Sequence, residues 1–307
     1  MRNLYYSYFI IALNGFSSAM SQNLYGSLFM TLSMFGFTSS DALIKHSGAW
    51  LPLSQILFFR GIVAVLLLTI IALIRKELFV SIKNSQRRFL FLRVLGEVGA
   101  TLFFFTALLN MKISNAVAIL QCLPLALAFF GALLFGETVG VKRWLTILAG
   151  FFGVLLIIKP TSTDFNSYSL IAIVAVFFLV LRDLSTRKLD ISMPSTFVSL
   201  ITASTVTIIG MIMYPFQPWV DPPLEIVGLL SGAGIFLVIG VIYNVLSVRT
   251  GDISFVSPFR YTSIFIAIFY GVVFYNEIPD IFMIIGTLIV IIAGSYLFYA
   301  ERKETRN

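Results

Sequence analysis

Predominantly apolar runs about 20 residues long recur along almost the whole chain, and no single water-soluble core can absorb so many of them. At about 1.5 Å per helical residue, about 20 residues cover the roughly 30 Å hydrocarbon layer of a bilayer. Such runs are read at 26–45, 53–74, 89–109, 113–135, 143–159, 168–186, 195–215, 225–247, 253–275 and 280–300. The links between them are short, the longest being RKELFVSIKNSQRR at 75–88. Of 307 residues, 59% are hydrophobic and 11% are charged, against roughly 25% charged in a typical soluble domain. Too little polar surface remains to keep a soluble fold dispersed. The expected fold is an all-α polytopic membrane protein of ten transmembrane helices.

The formal charge of +7 does not point to nucleic acid, because the basic residues sit at the ends of apolar runs, where Lys and Arg set topology. With both termini cytoplasmic, the inner segments collect Arg75, Lys76, Lys83, Arg87, Arg88, Lys142, Arg143, Arg187, Lys188, Arg249, Arg302, Lys303 and Arg306. The outer side keeps Lys45, Lys112 and Lys159, with Asp221, Glu225, Glu277 and Asp280 in its later loops. A single cysteine, Cys122, excludes an internal disulfide, and a single histidine, His46, argues against a zinc site. No metal or cofactor is expected, and the ATP-binding P-loop pattern is absent. Residues 1–25 form an N-terminal extension whose apolar core, Tyr5 to Leu13, is short for a span. An interfacial stub, an extra span and a misassigned start ahead of Met20 all remain open.

Self-similarity runs through the chain. Asp41, Lys45 and Pro52 in DALIKHSGAWLP have counterparts Asp183, Arg187 and Pro194 in DLSTRKLDISMP, each 142 residues on. Later, LLFGETVGVKRWLTILAGFFGVLLI parallels VVFYNEIPDIFMIIGTLIVIIAGSY, with Glu137 and Glu277 at matching places. The chain divides into repeats at 26–160 and 161–303, with a tail at 304–307. Five spans per repeat is an odd number, so the second repeat enters the membrane from the opposite side. Inverted repeats are a common architecture of secondary transporters.

SNAVAILQCLPLALAFFGALLFGETVGVKRW (114–144) and FVSPFRYTSIFIAIFYGVVFYNEIPDIF (255–282), together with the Asp–Lys pair ending span 1, resemble the EamA-type family of the drug/metabolite transporter superfamily. The resemblance covers residues 25–303. It implies an inner-membrane location, a central cavity lined by spans 1–4 and 6–9, and spans 5 and 10 as peripheral supports. RDLSTRKL (182–189) and VSPFRY (256–261) are similar to one bacterial branch of that family. Asn276 departs from the family pattern, standing where glycine usually precedes the glutamate.

A charge at bilayer depth costs at least about 2.5–3.5 kcal/mol, so it needs a partner or a wet cavity. The intramembrane polar set comprises Arg60 in span 2, Arg93 and Glu97 in span 3, Asn115 and Gln121 in span 4, Arg182 and Asp183 in span 6, Tyr243 and Asn244 in span 8, and Arg260 and Tyr261 in span 9. Pro124 and Pro258 interrupt spans 4 and 9, and such breaks belong against protein or water rather than lipid. A broken helix from each half predicts a binding site at the repeat interface, with Arg260 projecting into it. Arg60, Gln121, Tyr261, Tyr243, Asn244 and Asn115 join Arg260 as candidate substrate contacts. Arg93 with Glu97, Asp41 with Lys45 and Asp183 with Arg187 stand at i,i+4 spacing and are expected as structural or gate ion pairs. Glu97 and Asp41 are also the candidates for proton coupling. Arg182 is expected to snorkel to the interface, Glu137 and Glu277 to cap the helices that follow them, and Gly228 and Gly232 to allow close packing as GxxxG.

These residues predict a secondary transporter for a small polar or anionic metabolite, such as an amino acid, because guanidinium matches carboxylate bidentately. Carriers for a riboflavin-type vitamin or S-adenosylmethionine are an alternative that the resemblance implies. A channel, or an intramembrane enzyme, fits less well: the buried Ser–His, GxGD and HExxH patterns are missing. The expected partners are the solute and the lipid bilayer, with the protein a monomer or homodimer.

Overall fold

The computed structural model describes the backbone of residues 2–80, 82–135, 140–160, 165–190, 193–250 and 252–304; side chains at 2–21, 134–135, 248, 253–254 and 301–304 are not described. Glu137 and Arg306 therefore lie outside the described residues, as do the side chains of Arg302 and Lys303. Every described element is helical: α1 (Arg2–Ser47), α2 (Leu53–Ile74), α3 (Asn84–Asn110), α4 (Ile113–Leu120), α5 (Leu123–Phe135), α6 (Val141–Ile158), α7 (Tyr168–Thr186), α8 (Ser195–Ile212), α9 (Leu224–Thr250), α10 (Ile253–Val256), α11 (Thr262–Tyr275) and α12 (Ile281–Glu304). A 3-10 turn, Ser257–Tyr261, joins α10 to α11. Nine stretches among the described residues are long and apolar enough to cross a membrane. The remaining expected span, 26–45, lies inside α1, which runs on from the N-terminal extension without a break.

Both expected helix breaks are present. Span 4 is split into α4 and α5 by a turn at Gln121 and Cys122, and Pro124 occupies the first turn of α5, where its missing N–H costs nothing. Span 9 carries the 3-10 turn with Pro258 in it. Three helix ends adopt left-handed backbone without glycine, at Lys76 (φ 55), Lys159 (φ 53) and Asn276 (φ 52). Asparagine tolerates that conformation, which explains how Asn276 fills a place usually held by glycine.

Helix packing follows one rule. α1 lies along α9, α3 along α7, α2 against α8, α6 against α12, and α4 against α11. Exchanging spans 1–5 with spans 6–10 leaves this set of pairs unchanged. The closest backbone approaches obey the same exchange. A Cβ at Gly36 of α1 would lie 2.7 Å from the Gly240 N of α9, and a Cβ at Gly96 of α3 would lie 2.6 Å from the Arg182 N of α7. The GxxxG expectation is corrected here. Gly228 has nothing within 4 Å, and a Cβ at Gly232 would make an ordinary 3.4 Å contact with Leu43. Close packing of α9 falls instead at Gly234 and Gly240, which face α2 and α1.

Candidate functional site

The split spans meet at the centre of the bundle. Gln121, exposed by the break after α4, donates from Nε2 to Ser263 Oγ, and Ser263 Oγ donates in turn to the carbonyl of Arg260 at 2.9 Å. One hydrogen-bonded line therefore runs from the break in span 4 to the break in span 9. Ser263 was not anticipated from sequence, although it stands 142 residues after Gln121, the interval of the first repeat match.

A column of charge crosses the interior beside these breaks. Asp41 of α1 and Glu97 of α3 lie within electrostatic range of Arg60 of α2, whose guanidinium carbon is 5.0 Å from the centre of the Phe105 ring. Glu97 accepts from Arg182 NH1 at 3.5 Å and lies 3.9 Å from Arg93 NH1. Arg182 Nε donates to Asp183 Oδ1 at 2.8 Å, and Asp183 is within electrostatic range of Arg260. Four guanidiniums face three carboxylates, so the fully ionised column carries one positive charge in excess. The Nε atoms of Arg60, Arg93 and Arg260 are buried without a hydrogen-bond partner. Buried donors of this kind are costly to leave unmade, and three of them around one interior are suited to an anionic or carbonyl-bearing solute. Phe105 reads from sequence as a lipid-facing or core aromatic, and it is buried in the core, but an aromatic run in an apolar span gives no sign of the cation above it.

Several expected pairs are rearranged. Lys45 does not pair with Asp41 along α1. It lies 3.1 Å from Glu277 Oε1 and donates to the carbonyls of Leu108 and Met111. Glu277 does not cap the helix that follows it; its Oε2 accepts from the N–H of Ile113 at 2.8 Å, capping α4. The cap of α12 is Asp280, which accepts from the N–H groups of Phe282 and Met283 at 3.0 and 3.1 Å. Asp183 is engaged by its neighbour Arg182 rather than by Arg187, whose side chain is exposed. Arg182 is tied into the interior and does not snorkel. For Lys45, Glu277 and Arg182 a free helix terminus or a carboxylate across the bundle offers a better partner than the position expected from sequence.

The other candidates are dispersed. Asn115 lines a 360 Å³ pocket near Lys112, Lys159 and Asp280, at the end of the bundle that holds Lys45. Tyr243 packs on Phe29 of α1, with ring centres 5.7 Å apart, and the Asn244 carbonyl accepts from Ser247. Tyr261 is buried, its hydroxyl set against Gly294 of α12. The end holding Lys45 is further closed by Tyr275, which donates to the Ala42 carbonyl, by Lys159 and Asp280 at 2.8 Å, and by Lys112, which donates to the Ile278 carbonyl at 3.0 Å.

An all-helical polytopic membrane protein with a charged, incompletely satisfied interior is the class that fold and site define. Residues 24–159 match the model of the EamA-like transporter family. The chain is 26% identical to the pseudopaline exporter CntI of Pseudomonas aeruginosa, over 87% of this chain and 94% of that one. It is 24% identical to an S-adenosylmethionine uptake transporter of Rickettsia prowazekii (94% and 97% covered) and 27% identical to a riboflavin transporter of Vibrio cholerae (74% and 76% covered). A solved crystal structure shares the fold, with a TM-score of 0.62 at 18% identity over 93% of this chain and 99% of its own. The match to the EamA-like transporter model over residues 24–159, with relatives named as transporters along most of the chain, supports a small-molecule transporter rather than an enzyme.

Proposed function

We propose that the protein is a secondary carrier which moves a small metabolite bearing a carboxylate or similar anionic group across the bacterial inner membrane, with both termini cytoplasmic. Two inverted five-helix repeats, 26–160 and 161–303, exchange conformations to give alternating access. The exchange-invariant pairing of the helices supports that division. The carrying observation is the charge column: guanidiniums outnumber carboxylates, and Arg60, Arg93 and Arg260 each keep a buried Nε without a partner. A bound carboxylate would neutralise the excess charge and accept from these donors bidentately. Arg260 sits on the 3-10 turn of span 9, where a change in backbone geometry moves its side chain directly.

A second reading, a carrier of a vitamin or cofactor such as riboflavin or S-adenosylmethionine, is favoured by the functions for which two of the relatives are named. Both readings are tested together. Purified protein is screened by thermal shift against amino acids, organic acids, riboflavin and S-adenosylmethionine, and the hits are followed by uptake and exchange in liposomes. Arg260→Ala inserts normally and loses uptake. Full uptake by a folded Arg260→Ala protein removes Arg260 from the site, and flux that neither saturates nor exchanges label makes the protein a channel.

A further inference from the structure

α2 begins at Leu53 behind Pro52, and α8 begins at Ser195 behind Pro194, 142 residues later. At the Lys45 end of the bundle, the segment that follows α8 folds over the start of α2. Gln217 accepts from the Ser54 N–H at 3.0 Å, Gln55 exchanges hydrogen bonds with the Val220 backbone at 2.7 and 3.1 Å, and Trp219 donates to Ser54 Oγ at 3.1 Å. The protein fills that place with its own side chains.

At the opposite end, the segment that follows α2 stands in the same relation to the start of α8, but a 290 Å³ cavity lies there. Arg75, Glu77, Ser195, Thr196 and Arg249 line it. No hydrogen bond or ion pair among the described residues engages the side chain of Arg75, Glu77 or Arg249, and Glu77 Oε2 is buried without a partner. Two cations and one anion share a cavity without pairing. The apolar wall, from Leu68 and Ile71 of α2 to Val245 of α9, extends about 10 Å into the membrane from the depth of Arg75, at about 1.5 Å per residue.

We propose that this cavity between α2, α8 and α9 binds an aminophospholipid, with the phosphate held by Arg75 and Arg249 and the primary ammonium held by Glu77. Guanidinium is suited to phosphate oxygens, and basic pockets at helix ends recognise lipid headgroups. The carboxylate selects among headgroups. A primary ammonium donates to Glu77; a choline group has no N–H to give, and a glycerol headgroup has no charge to offer. The Ser195 and Thr196 hydroxyls stand ready for the remaining phosphate or ester oxygens, and the first acyl carbons run along Leu68 and Ile71.

The test is native mass spectrometry of the full-length, delipidated protein titrated separately with phosphatidylethanolamine, phosphatidylglycerol and phosphatidylcholine. Phosphatidylethanolamine binds tightest to the wild type. Arg75→Ala/Arg249→Ala weakens it about tenfold or more, the scale of a lost charged contact. Glu77→Gln retains phosphate binding and loses the preference over phosphatidylcholine. Ile242→Trp fills the cavity from its apolar side and displaces the lipid with every charge intact, so the result stands even if the double variant does not survive purification. Equal binding of the three lipids by the wild type overturns the assignment, as does phosphatidylethanolamine binding that none of these variants changes.

Discussion

The Lys45 ammonium lies 3.1 Å from the Glu277 carboxylate, whose other oxygen accepts from the N–H of Ile113. One carboxylate thus ties the end of α1 to the start of α4 and to the loop after α11, and Lys45 adds the last carbonyls of α3. Under the proposed alternating access, this pair would have to break for this end to open. Hydrogen bonds to charged groups contribute about 1.5–3 kcal/mol, and 1.4 kcal/mol is tenfold in a population. Glu277→Ala is therefore expected to raise the open population at this end about tenfold or more. Cys122 is the chain's single cysteine, so a Cys122→Ser background with Ser114→Cys, a position now fully buried, gives a clean probe. Maleimide labelling of that cysteine should accelerate in Glu277→Ala; an unchanged rate removes the pair as a latch.

Proton coupling separates the two embedded carboxylates considered for it. Glu97 is shared by Arg182 at 3.5 Å and Arg93 at 3.9 Å, so two guanidiniums from α7 and α3 face it. Asp41 makes no hydrogen bond or ion pair among the described residues and faces Arg60 only at longer range. Asp41→Asn should flatten the pH dependence of uptake into liposomes. Glu97→Gln should keep the shape of that profile and lower stability by about 1–3 kcal/mol, because Arg182 and Arg93 lose the negative charge between them. The opposite result, a flattened profile in Glu97→Gln alone, transfers the role to Glu97.

Hydrophobic runs and matched intervals carried most of the architecture. The segments read as spans 2, 4, 6 and 9 agree with the helices at both ends, because length and apolarity alone decide what fits a bilayer. Both breaks were legible because proline acts through its own backbone. Ion pairs were not. Sequence spacing favoured partners four residues away, whereas Lys45 reaches Glu277 across the bundle and Arg182 reaches Glu97 from another helix. Such partners depend on which helices touch, and a period along one helix holds no information about its neighbour. GxxxG misled for the same reason: Gly36 and Gly96 make tight crossings although neither belongs to a GxxxG pair.

Those crossings give a paired prediction. A methyl at Gly36 would meet the backbone of Gly240, and a methyl at Gly96 would meet the backbone of Arg182, in each case inside normal contact distance. Backbone cannot move aside as a side-chain tip does, so overpacking of about 1–3 kcal/mol is expected at each. Gly36→Ala and Gly96→Ala should lower the thermal midpoint in detergent by similar amounts, while Gly228→Ala, at a position with nothing within 4 Å, should leave it unchanged. Unequal losses at the two crossings, measured side by side, would show that α1–α9 and α3–α7 are not equivalent contacts.

Asp280 provides the pH test outside the membrane. Burial alone would raise its pKa, but the Lys159 ammonium at 2.8 Å and the N–H groups of Met283 and Phe282 prevail, and the carboxyl sits below its ordinary value. A depressed folded pKa stabilises the protein fully above the unfolded value of about 3.9, and that contribution is lost as the pH falls through the folded pKa. Asn is also a good helix cap, so Asp280→Asn removes the charge and keeps the hydrogen bonds to α12. Because the side chain is one-third exposed (33%), the ion pair is expected to contribute no more than about 1 kcal/mol. The variant should melt roughly 1–3 °C below wild type near pH 7, and the two curves should converge as wild-type Asp280 protonates below about pH 4. A difference that persists undiminished to about pH 3 would place the contribution of Asp280 in its shape rather than its charge.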